Sequence, residues 1–126
     1  MIPKSLRIWF VIHFVVDLIF ALPLIFFPAV VFGMFGLVMG DSLAPRLVGA
    51  AFLAIGTTSL IMRNAGLESY RALLNLKIIW SSSALIGIAL AIINGSPAIA
   101  WLPFGIFVIF WIAWVFYWKK LFSPLK

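Results

Sequence analysis

The sequence predicts an all-α integral membrane protein: a four-helix bundle with a short interfacial or re-entrant segment between helices one and two, forming one domain over residues 1–126. Three observations predict it. The chain is 66% hydrophobic and 10% charged, more apolar surface than a soluble domain of this length can bury. Its apolar residues fall into four windows near the roughly 20 residues that a hydrocarbon core of roughly 30 Å requires. Most of its cations lie at the ends of those windows.

The first window runs from Ser5 to Phe27 and is long enough to span, with no clear small-residue cleavage site, so it reads as a retained signal anchor. The second runs from Leu43 to Met62. Asp41 or Ser42 can cap its start, and Pro45 falls in its first turn, where proline is tolerated. The third runs from Tyr70 to Ile93 and ends at "NGSP", where Asn94 and Gly95 suit a helix stop and Pro97 a new start. The fourth runs from Ala98 to Leu121. Between the first two, "PAVVFGMFGLVMG" at residues 28 to 40 is uncharged and too short to cross; it reads as an interfacial or re-entrant helix loosened by Gly33, Gly36 and Gly40.

Four spans place both termini and the second connection on one side. That side carries Lys4, Arg7, Arg63, Arg71, Lys77, Lys119, Lys120 and Lys126, against Arg46 alone on the other. This asymmetry predicts a multi-pass protein of the cell membrane with both termini cytoplasmic. The net charge of +6 is therefore a topology signal first and an attraction to anionic lipid headgroups second. The cations are scattered at helix ends and not clustered with exposed aromatics, which speaks against a nucleic-acid partner.

Composition excludes several chemistries. With no cysteine there are no disulfides, iron–sulfur clusters or thiolate metal sites. The lone His13 excludes a multi-histidine haem or zinc site and leaves at most a mixed site with carboxylates, so no metal and no cofactor is expected. There is no nucleotide-binding glycine pattern between strand and helix, no G-x-S-x-G and no Glu-x-x-His pairing, and hence no catalytic set.

One stretch of the first window, "IHFVVDLIF", sets His13 and Asp17 among residues suited to lipid. At 1.5 Å per residue they lie roughly 12 and 18 Å from the cytoplasmic end, so Asp17 is near the midplane. A spacing of four puts them on one face, continued by Leu6, Phe10, Phe20 and Leu24. A charged carboxylate there costs roughly 2.5 to 3.5 kcal/mol and needs a partner, water or a proton. The third window, rising from the same side, offers Lys77 near the depth of His13, Ser81 near that of Asp17, and Asn75 close by. Two readings of this intramembrane cluster stand: interhelical hydrogen-bonding glue with Lys77 snorkelling, or a ligand- or proton-handling site.

The other polar and aromatic residues read mainly as packing. Ala50, Ala54 and Thr58, and Ser83, Gly87 and Ala91, have the small-xxx-small spacing of closely packed helices. Thr57, Thr58 and Ser59 can line a polar pocket, although hydroxyls in membrane helices usually bond their own backbone. In the fourth window Phe104, Phe107, Trp111, Trp114 and Trp118 form an aromatic stripe. The first four are candidates to wall an apolar ligand cavity. The rival reading packs the deeper rings and leaves Tyr117 and Trp118, beside Lys119 and Lys120, as an interfacial belt.

The order of a first helix, "LPLIFFPAVVFGMFGL", "APRLVGAAFLAIGTTSLIMR", a charged turn and two further helices resembles small four-helix membrane proteins related to the DoxX group. The resemblance covers most of the chain and rests on the hydropathy pattern and the "R-x-x-G-A" from Arg46 to Ala50. It implies a four-helix bundle, an accessory role in a membrane redox system, and quinone or lipid as a neighbour. The small multidrug-resistance exporters are a second similarity, with one carboxylate on the first helix. Asp17 where they have glutamate, and the long first connection, depart from that pattern.

These observations set the functional expectation: binding of an apolar or amphipathic small molecule such as a lipid or quinone, or service as an accessory subunit beside a membrane-protein partner or a second copy. The alternative is a proton-coupled exporter using Asp17. Enzyme activity, such as acid–base chemistry on a lipid by His13 and Asp17, is the less expected class.

Overall fold

A computed structural model describes residues 1–124; Lys126, counted above among the cytoplasmic cations, lies outside the described residues. Among those described, the chain is all helical: α1 (Lys4–Phe26), α2 (Pro28–Met34), α3 (Leu43–Ile61), α4 (Leu67–Ile93), a 3-10 turn (Ala98–Ala100) and α5 (Trp101–Phe122). The four long elements, α5 with its preceding turn, are long and apolar enough to cross a membrane.

Local chemistry sets the boundaries. Phe27 precedes a proline, which disfavours the helical region, so α1 stops there and Pro28 opens α2 at its first position. The α2 segment ends in a Schellman turn. Gly36 takes a positive φ of 65°, its N–H bonds the Gly33 carbonyl, and the Leu37 N–H bonds that of Phe32. Gly36 thus terminates the short helix, where the sequence suggested that it loosens one. The same motif closes α4: Gly95 has φ 98°, its N–H bonds the Ile92 carbonyl, and the Ser96 N–H bonds that of Ala91. At the start of α3 the Leu43 N–H donates to Asp41 Oδ1 at 2.7 Å, so Asp41 and not Ser42 supplies the side-chain acceptor. Helix α4 begins at Leu67, three residues before the expected Tyr70, because a charged first turn with Glu68 extends it past the apolar window and suits the helix dipole.

The chain forms two compact units, residues 3–64 and residues 65–124 with Met1 and Ile2. In the first, α1 and α3 run antiparallel and approach closely at two glycines. A β-carbon on Gly49 would lie 3.0 Å from the Ala21 carbonyl, and one on Gly56 would lie 2.7 Å from the Asp17 Cβ. Phe20 and Phe52 stack between these points, with ring centroids 5.8 Å apart. The buried face of α3 is thus Pro45, Gly49, Gly56 and Ser59, while Ala50 and Ala54 are exposed, a rotation from the stripe the spacing suggested. In the second unit α4 packs on α5, the buried residues being Tyr70, Leu74, Lys77 and Ser81 on α4 and Phe110, Ala113, Trp114 and Tyr117 on α5. Ser83 and Gly87, the expected packing stripe of α4, are exposed.

Exposure is inverted relative to a water-soluble protein. Ile19, Ile79, Ile86 and Ile109 are each more than half exposed, whereas Asp17 is 2% and Lys77 1% exposed. Such an apolar exterior around buried ionisable groups is what a lipid solvent selects.

Candidate functional site

In the first unit, the four-residue spacing on α1 brings His13 Nε2 to 3.4 Å from Asp17 Oδ2, and both side chains are buried. Gly56 makes room for the carboxylate: a β-carbon there would also come within 3.2 Å of Asp17 Oδ2. The nearby hydroxyls serve their own helix. Thr58 Oγ1 donates to the Ala54 carbonyl at 2.7 Å and Ser59 Oγ to that of Ile55 at 2.9 Å, as hydroxyls in membrane helices commonly do. An imidazole and a carboxylate held this way can share a proton, and the carboxylate can fix the imidazole tautomer. They amount to two metal-capable ligands, and no group of three His, Asp or Glu lies together among the described residues.

In the second unit, indole rings of α5 meet polar side chains of α4 in sequence along the helix pair. Trp118 Nε1 donates to Asn75 Oδ1 at 2.7 Å. The Lys77 ammonium lies over the Trp114 ring, 4.9 Å from its centroid, a cation–π geometry. Trp111 Nε1 donates to Ser82 Oγ at 3.0 Å, and Phe107 meets the Trp80 ring edge-on at 6.0 Å. Trp114, fully buried, also stacks on Phe110 at 5.6 Å, while Trp111 is 36% exposed and Phe104 lies edge-on to Trp101 at 5.2 Å. Ser81, one turn from Lys77, is fully buried, and its Oγ has no hydrogen-bond partner among the described residues.

Of the sequence-derived site residues, His13 and Asp17 lie on α1 of the first unit, and Asn75, Lys77 and Ser81 lie on α4 of the second, which also holds Trp111 and Trp114 on α5. Gly56 was missed, although its seven-residue spacing from Gly49, two helical turns, marks one face of α3. Ser82 was missed too, as the acceptor for Trp111, because nothing in a run of three serines shows which one faces the indole.

No protein-family model, curated protein or solved structure matches the chain. Its fold and side-chain distribution define its class, a multi-pass helical membrane protein.

Proposed function

We propose that this chain is a cell-membrane protein with both termini cytoplasmic that binds an apolar or amphipathic small molecule of the lipid or quinone class, or serves as an accessory subunit of a membrane complex. The buried His13–Asp17 pair carries the proposal. Ionisable groups inside a span lower the ease of insertion, and where they are kept they commonly mark ligand or proton paths. The four spans and the resemblance to DoxX-like proteins point the same way, toward an accessory role near membrane redox chemistry. The cation asymmetry supports the orientation. A second reading, proton-coupled export of a small molecule, draws on the same pair acting as a proton carrier, with the ligand as cargo. Extraction and mass spectrometry of the purified protein test the proposal. A lipid or quinone retained by the wild type and lost in Asp17→Asn supports binding. Failure to retain any such molecule or any stoichiometric protein overturns it, and a pH-gradient-driven flux in vesicles supports export instead.

A further inference from the structure

Two successive turns of α4 meet two successive turns of α5 at the end where α4 begins. Trp118 Nε1 donates to Asn75 Oδ1 at 2.7 Å, and the Arg71 guanidinium, one turn earlier on α4, lies over the Phe122 ring, 5.7 Å from its centroid. The two rings adjoin, with centroids 6.2 Å apart. An indole N–H can only donate, so it fixes the Asn75 amide with its oxygen toward Trp118 and leaves the Nδ2 donors without a partner among the described residues. The ring beside Arg71 likewise takes none of the five guanidinium donors in an ordinary hydrogen bond. Glu68, three residues before Arg71, makes no ion pair with it among the described residues. Arg71 and Asn75 are exposed, whereas Trp118 and Phe122 are half-buried. The face that Arg71 and Asn75 share on α4 continues as Ile79 and Ile86, both more than half exposed.

We infer that Arg71 and Asn75, set on the aromatic floor of Trp118 and Phe122, form a binding site for a phosphate group whose bearer is an anionic phospholipid. The guanidinium fork matches two phosphate oxygens, and the Asn75 amide, one turn further along α4, offers a donor to another oxygen of the headgroup or of its ester linkage. Ring contacts hold both groups before the ligand arrives, which reduces the side-chain freedom lost on binding. The rest of the face favours a lipid over free phosphate. Past the donors the surface turns apolar at Ile79 and Ile86, so a headgroup at Arg71 lays an acyl chain along α4. Trp118, followed by Lys119 and Lys120 in the last turn of α5, belongs to the aromatic and basic zone of a membrane boundary, the depth of a headgroup. The site uses no residue of the α1–α3 unit and stands apart from the His13–Asp17 pair.

The test offers the full chain, purified in detergent and immobilised, an equimolar mixture of phosphatidylglycerol and phosphatidylcholine, and quantifies the lipids retained after washing by mass spectrometry. The wild type should prefer phosphatidylglycerol by about fivefold, the scale of one cation acting on an anionic headgroup. Arg71→Gln should lose most of that preference. Asn75→Asp keeps an acceptor for the Trp118 indole but turns a carboxylate toward the headgroup, so it should fold normally and lose the preference as well. Lys120→Gln should keep it, because that ammonium lies over Phe116, two residues from Trp118 and on another face of α5. Equal retention of the two lipids by the wild type overturns the inference, as does an unchanged preference in Arg71→Gln. Resistance to a wash with millimolar inorganic phosphate at constant ionic strength supports the lipid headgroup; displacement by it would assign the site to free phosphate and overturn the lipid. Asp17→Asn should leave the preference intact. Loss there together with retention in Arg71→Gln would place the lipid at the other pair and overturn this site.

Discussion

Gly56 lies directly against Asp17, so close that a β-carbon at position 56 would fall 2.7 Å from the Asp17 Cβ. The membrane carboxylate is thus seated by a missing side chain on the neighbouring helix. Gly56→Ala should push α1 and α3 apart or turn Asp17 out of its rotamer, at a cost of about 1–3 kcal/mol. Gly87→Ala on α4, where an added Cβ meets nothing within 4 Å, should be neutral or stabilising by up to about 1 kcal/mol through helix propensity. Reversible unfolding in mixed micelles compares the two; equal effects would remove the seat assigned to Asp17.

The contact between His13 and Asp17 should appear as an energetic coupling. In a cycle of His13→Gln, Asp17→Asn and the double variant, groups in direct contact are expected to couple by about 0.5–3 kcal/mol. Additivity within about 0.5 kcal/mol would mean that the 3.4 Å approach carries no interaction of consequence.

The aromatic stripe of α5 supports two roles that two variants separate. Trp114 is fully buried under Lys77 and against Phe110, so Trp114→Ala should cost about 3–5 kcal/mol as a core truncation. Trp111, 36% exposed and bonded to Ser82, should cost far less when changed to alanine. If the stripe also walls a ligand cavity, Trp111→Ala keeps its folded fraction and loses a co-purifying apolar molecule. Retention of that molecule at wild-type level would leave the stripe as packing only.

Orientation is open to direct labelling, since the natural chain has no cysteine. Single cysteines at Ser5, Ser96 and Ser123 should react with an impermeant reagent from opposite sides, Ser96 from outside and the other two only after the membrane is opened. Labelling of position 5 or 123 in intact cells would reverse the topology inferred from the cations.

The four spans were legible because length and apolarity are what a bilayer selects, and helix ends were legible where the chemistry is local, as at Asp41, Pro45 and Asn94–Gly95. The adjacency of His13 and Asp17 followed from helical geometry alone. The packing face of α3 did not. In a soluble helix a polar face marks the outside, but in lipid both faces are apolar, and two stripes of small residues one position apart, Gly49 with Gly56 and Ala50 with Ala54, carry the same signal. The partners of the indoles were hidden for a similar reason. The run from Ser81 to Ser83 offers three hydroxyls, and only the rotation of α4 against α5 assigns Ser82 to Trp111 and leaves Ser81 buried.

The two buried ionic groups differ in when their partners become available during synthesis. Asp17 meets His13 within one turn of the same helix, so the carboxylate can enter the translocation machinery already matched, as soon as α1 winds. Lys77 meets Trp114, which belongs to the last helix to emerge, so that contact forms only when α5 arrives, and before it the long stem lets the ammonium reach toward the headgroups. Pulling forces on the nascent chain, read with an arrest peptide, should therefore show one complete event for the first span and a split event for α4, its second part coinciding with the arrival of α5. A single undivided event for α4 would mean that Lys77 crosses without waiting for its indole.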